Sequence, residues 1–361
     1  MAHTVTSRTL SGAPPQTGAP NAANRGRSRT SGIDVARRRL QTALAALWLV
    51  DAILQYQPSM FTPAFVTHVL EPAAAGTPAF VAVPAGWAAH ILLRHVGLYD
   101  AGFATVQLGI AAGLLWSRSV RVALSASIAW SVGIWWLGEG LGGLTTGATA
   151  LQGAPGAALL YALIAVLVWP PNSEQSATPG VSVAESGPAG TWAPKVVWVT
   201  LWAGLAAVGL EVANRTPNAL TEAITSQTGG QPGWVRSVLD GLADLTAHHG
   251  LTWSIALAIA FCTVAVAVLA PSTRRVALLI AVVLAAGIWT AEGFGAIFTG
   301  NGTDPNTGPL LALLAATLWP RLPRRSLRPT TARQPRTGPE LTVVRGGQVP
   351  AITRAPRRQE M

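Results

Sequence analysis

The chain has 361 residues, of which 50% are hydrophobic and only 11% charged, with a formal net charge of +10. An ordinary soluble domain carries roughly 25% charged residues. Here the charge is gathered into a few short stretches between long apolar runs, which excludes a pair of soluble domains and points to an integral membrane protein. A lone cysteine, Cys262, rules out an internal disulfide framework and a cysteine-based metal knuckle, and reads as a small packing residue.

In chain order, residues 1–38 are rich in Pro, Gly, Ser, Thr and Arg, and are expected to form a disordered basic cytoplasmic tail. The first apolar run begins only near Leu40, so no signal peptide is expected. A first four-helix membrane unit over 39–170 holds candidate helices at 40–57, 101–117, 121–138 and 156–170. Residues 171–193 read as a low-complexity cytoplasmic linker. A second four-helix unit over 194–320 holds candidate helices at 194–213, 251–270, 275–293 and 305–320. Asp304 and Pro305 are expected to supply the N-cap and first-turn proline of the last one. Residues 321–361 read as a second disordered basic tail.

Two longer stretches, 58–100 and 214–250, follow the first helix of each unit. They mix Pro, His and apolar residues at near-helical spacing, which predicts short interfacial or re-entrant helices folded over the outer end. With eight spans and both termini cytoplasmic, Arg94, Arg215 and Arg236 are the sole outer residues among 25 Lys and Arg. An odd number of spans would place one basic tail outside, against the positive-inside bias. The expected location is therefore the plasma membrane, with the basic tails against anionic lipid headgroups and no nucleic-acid partner.

The chain also resembles itself. Thr62-Pro63 matches Thr216-Pro217, Arg121-Val122-Ala123-Leu124 matches Arg275-Val276-Ala277-Leu278, and Gly133-Ile134-Trp135 matches Gly287-Ile288-Trp289, all at an offset of 154. Glu139-Gly140-Leu141-Gly142 aligns with Glu292-Gly293-Phe294-Gly295 after a one-residue slip. Val168-Trp169-Pro170 aligns with Leu318-Trp319-Pro320 after three more. The expected fold class is all-α integral membrane, with eight transmembrane helices as two parallel four-helix repeats.

A four-helix unit with a long first outer loop resembles the DoxX-like membrane proteins, distantly. The stretches MFTPAFVTHVLEP, GEGLGGLTTG and AEGFGAIFTGNGTDPNTGPLL also resemble uncharacterised polytopic membrane proteins of actinobacteria, over most of residues 40–320. The resemblance implies membrane residence and carries over no catalytic residue.

Candidate site residues are few. Glu139 and Glu292 each end the third helix of a unit ahead of a Gly-rich turn, and a pseudo-twofold axis could bring them together to share a proton or bind a cation. Asp51 lies inside the first helix with Gln55 one turn on, and an intramembrane acid marks a functional position. Its counterpart in the second unit is Leu205. His90, His95, His248 and His249 are weak metal candidates, because no HxH or HxxxH spacing joins them. No phosphate loop, dinucleotide fingerprint, hydrolase elbow or haem-attachment motif is present, so neither an enzyme nor a cofactor is expected. The expected activity is transport or carriage of a small solute or ion, with a non-catalytic envelope scaffold or partner subunit as the alternative.

Overall fold

The computed structural model describes residues 32–171 and 180–321, and these form an all-helical structure with no strand among the described residues. In the first half, α1 (Gly32–Gln55) leads to two short pieces, α2 (Pro63–Phe65) and α3 (Glu71–Ala74), joined by a π turn, then to α4 (Ala79–Leu92). Three further helices complete it: α5 (Val96–Leu115), α6 (Val120–Leu137) and α7 (Ala157–Leu167). The second half runs α8 (Ala193–Gly209), α9 (Ala219–Thr225), α10 (Gly233–Thr246), α11 (Gly250–Ala267), α12 (Arg274–Ala291) and α13 (Thr307–Thr317).

Among the described residues, four helices, α5, α6, α11 and α12, are long and apolar enough to cross a membrane. Only 28% to 39% of their residues are buried within the protein. The remainder includes exposed Leu108, Val122, Ile255, Ile259, Val266 and Val283. Water would not tolerate an apolar surface of that extent, whereas lipid matches it. The chain is therefore membrane-associated. Cys262 is exposed on α11 rather than packed inside.

The shorter helices α7 and α13 lie at the centre. Most of their residues are buried, and they pack against each other as well as against α6 and α12 respectively. On the flanks, α1 packs along α5 and α8 along α11. The turns joining α5 to α6 and α11 to α12 are closed by hydroxyls. Ser119 Oγ donates to the carbonyl of Gly113 at 2.8 Å, and Thr273 Oγ1 to that of Ala267 at 2.6 Å, each holding a helix-end carbonyl that lacks an intrahelical donor. Gly113 lets the two helices cross tightly, since a Cβ there would lie 2.9 Å from the Ala123 Cβ.

Three expectations are corrected. Helix α1 begins at Gly32, so residues 32–38 are not part of a disordered tail. Arg37 is buried and donates to the Trp169 carbonyl at 2.5 Å and to Ser186 Oγ at 2.6 Å, contacts no local pattern could announce. The linker from Gly180 to Trp192 is docked rather than loose: Ser182, Val183, Ala184 and Glu185 are all buried. Glu185 takes both guanidinium nitrogens of Arg274, at 3.0 and 2.9 Å, with Lys195 at 3.4 Å. Asp304 does not cap the last helix. It accepts from Asn306 N at 2.7 Å and Thr303 Oγ1 at 2.9 Å, and Asn306 is the N-cap, so α13 starts at Thr307. A short side chain followed by proline satisfied its own turn before the helix began. The expectations for 1–31, 172–179 and 322–361 lie outside the described residues.

Candidate functional site

Trp48, Asp51 and Gln55 recur at intervals of three and four, so the helix carries them on one face, and that face is buried. Asp51 Oδ1 accepts from the Tyr161 hydroxyl of α7 at 2.9 Å. The Trp48 ring lies on Tyr161 with centroids 4.3 Å apart, and its Nε1 donates to Ser127 Oγ of α6 at 3.0 Å. Gln55 Nε2 donates to the fully buried Asp100 of α5. Buried polar groups in α1 are thus tied to three neighbouring helices, which sets the rotation of α1 in the bundle.

The Gly-rich turn after α6 has a specific task. Helix α7 starts from Gly156, which has no side chain to cap the exposed N–H groups. Glu139 supplies the acceptor from a distance, its Oε1 taking Ala158 N at 3.0 Å. That approach depends on glycine: a Cβ on Gly142, whose φ is +61°, would lie 1.9 Å from the Pro155 carbonyl oxygen. In the second half Glu292 accepts from Thr307 Oγ1 at the start of α13, and Phe294 and Gly295 take the left-handed conformation that Leu141 and Gly142 take. Both glutamates lie just beyond their helices, and burial, with Asp304 adding repulsion, raises each carboxyl to about 8. Oε2 of Glu139 and Oε2 of Glu292 are buried without a hydrogen-bond partner.

The first half encloses a cavity of about 520 Å³ between α1, α4, α5, α6 and α7. This falls in the range of small-molecule sites, roughly 300–1,000 Å³. Aromatic side chains form its walls, among them Trp48, Phe65, Trp87, Tyr99, Phe103 and Trp130. Polar groups reach it at a few points: Asp51, Gln55, Gln107, Glu139 and Tyr161 from the first half, and Thr303 and Asp304 from the loop ahead of α13. Asp304 stands within electrostatic reach of Asp51, Glu139 and Glu292. Gln107 is only 5% exposed and its Oε1 has no partner, nor has Trp130 Nε1. Among the described residues, Lys, Arg and His are absent from the lining. Trp87 and Ala129 are the exposed lining residues, which puts the opening between α4 and α6.

The residues that the sequence's match to itself pairs with this lining are mostly apolar. At an offset of 154, Leu205 stands for Asp51, Gly209 for Gln55, Ser254 for Asp100 and Phe261 for Gln107; at 150, Leu311 stands for Tyr161. Trp202, the counterpart of Trp48, packs on Phe261 with centroids 5.4 Å apart. What remains between Leu205, Gly209, Ser254 and Phe261 is a pocket of about 20 Å³.

Asp51, Gln55 and Glu139, singled out from sequence, therefore line one cavity, whereas Glu292 lies outside that lining. The acidic neighbour shared by Glu139 and Glu292 is Asp304, at the place where a direct pairing of the two was expected. His90, His95, His248 and His249 are exposed, and among the described residues no group of three or more His, Cys, Asp or Glu could hold a metal ion. Asp100, Gln107, Tyr161 and Asp304 were missed as site residues. For the first three, the signal was the difference between halves already noted for Asp51, carried on to Ser254, Phe261 and Leu311. Asp304 carried the same kind of signal, since Ala154 is its partner at an offset of 150. No family model, no curated protein and no solved structure matches the chain.

Proposed function

We propose that the chain is a carrier that binds a small solute in the cavity of its first half and moves it across the membrane. The proposed architecture has eight spans in two parallel four-helix repeats, with both termini on the cytoplasmic side of the plasma membrane. Support for the repeat comes from element bounds: α4 and α10, α5 and α11, and α6 and α12 each begin 154 residues apart. Support for the orientation comes from charge. Arg37, Arg38, Arg118, Arg121, Lys195, Arg274 and Arg275 collect at the end where the linker docks, while Asp51, Asp100, Glu139, Glu292 and Asp304 lie towards the other.

The observation that carries the carrier reading is the asymmetry between halves. One scaffold holds an aromatic-walled cavity of about 520 Å³, reached by a few polar groups, in the first half and a filled, apolar remnant of about 20 Å³ in the second. Packing alone would favour filling both, since voids and buried polar groups each cost stability. Keeping one open is consistent with a bound solute.

The test is flux through proteoliposomes carrying the full chain and loaded with a panel of labelled solutes. At least one solute should move faster than in protein-free vesicles, and Asp51→Asn should reduce that flux at least tenfold. A Leu205→Met change in the filled half should leave it unaltered. Equal flux in wild type and Asp51→Asn, or no flux for any solute, would overturn the reading and favour the scaffold alternative.

A further inference from the structure

Resting on the carrier reading above, we infer that the solute is an organic cation: an ammonium group on an aromatic or aliphatic body. Charge, unmet hydrogen bonding and wall chemistry converge on that class. Three carboxyl side chains, Asp51, Glu139 and Asp304, reach the cavity, and no basic side chain lines it to neutralise them. One acceptor atom, the 95%-buried Gln107 Oε1, finds no donor among the described residues. A buried acceptor without a donor is costly, and a ligand N–H is what would relieve it. An anionic solute would meet three acids and no cation.

The walls select for the rest of the molecule. Trp48, Trp87, Trp130, Phe65 and Phe103 offer aromatic faces for an apolar body, and for a cation placed over a ring. A bare inorganic ion would leave most of about 520 Å³ unfilled. Metal binding is also disfavoured by placement, because the carboxyls do not converge into a group able to hold a metal ion. In the filled half, Leu205, Phe261 and Leu311 replace Asp51, Gln107 and Tyr161, so the polar determinants of the ligand are lost together with its space.

The experiment compares three probes of one carbon skeleton: phenylbutylammonium, pentylbenzene and phenylpentanoate. Each is labelled and dialysed to equilibrium against nanodiscs holding the full chain, with partitioning into empty nanodiscs subtracted. The ammonium should bind at least tenfold more tightly than the hydrocarbon, and the carboxylate most weakly. The double change Asp51→Asn, Asp304→Asn should bring the ammonium down to the hydrocarbon's affinity. Should that variant fail to fold, as read by circular dichroism, the three-probe ranking in the wild type decides alone. Phe103→Trp, which fills the cavity without altering charge, should weaken both ammonium and hydrocarbon. If the hydrocarbon or the carboxylate binds as well as the ammonium, the cation proposal falls while the cavity keeps its solute-binding role. If none of the three binds above empty nanodiscs, both fall.

Discussion

At the scale of single residues, Asp51 and Leu205 are equally buried but have opposite physical needs. Asp51 is 2% exposed and survives burial because Tyr161 donates to it; Leu205, equally buried, belongs to the apolar core that also holds Leu311. Tyr161→Phe should therefore cost about 1–3 kcal/mol, the range for leaving a buried polar partner unsatisfied. Leu205→Asp should cost more, because no hydroxyl waits for the carboxyl there. Unfolding in mixed micelles would measure both, and an equal loss for the two variants would contradict the pairing. Asp51 was legible in sequence as an acid among apolar residues. Its donor was not, because Tyr161 lies 110 residues away and nothing in the local pattern of α7 refers back to α1.

At the scale of elements, the Gly-rich turns are where local sequence and long-range geometry meet. The glycines after Glu139 and Glu292 announced a tight turn, and the turn is there. Its purpose, delivering a carboxyl to the N-terminus of the next helix, depends on how closely the turn approaches Pro155 and Gly156. Gly142→Ala should lose about 1–2 kcal/mol from the left-handed backbone alone, and more from the clash with the Pro155 carbonyl. Gly287 offers the control, since a Cβ there meets nothing within 4 Å in the middle of α12. Gly287→Ala should gain about 0.5–1 kcal/mol by restricting the unfolded chain. Melting temperatures of the two variants should move in opposite directions. Helix ends were less legible than helix interiors, as α1 and α13 illustrate. Apolar periodicity locates a helix, but an end is settled by whichever group satisfies its free backbone first.

At the scale of the whole molecule, the docked linker ties the ends of several helices together. Glu185 joins Arg274 of α12, Lys195 of α8 and the Ser182 backbone, while Ser186 receives Arg37 of α1. Burial by itself pushes the Glu185 carboxyl up, but hydrogen bonds from Arg274 and Ser182 outweigh it and leave the pKa lowered. The carboxylate therefore stabilises the fold fully above its unfolded pKa and loses that contribution as pH falls through its folded value. Thermal stability should drop on acidification below the ordinary glutamate range, and the drop should be smaller in Glu185→Gln. At neutral pH that variant should cost about 3–5 kcal/mol, because Arg274 is left buried without its counter-charge. A pH profile identical to wild type would show that the clamp does not contribute.

By itself the sequence determined the helical, membrane-associated class, the places of most helix interiors and the prominence of Asp51, Gln55 and Glu139. Those properties follow from hydropathy, period and charge within a few turns of chain. Only the tertiary structure decided that these three share a cavity, that Asp304 reaches into it from the other half, that Glu292 stays outside its lining, and that the linker is a clamp. Each of those outcomes rests on contacts between residues distant along the chain, such as Arg37 with Ser186 149 positions on. The open cavity rests on side chains from α1, α5, α6, α7 and the loop ahead of α13, which no local pattern brings together.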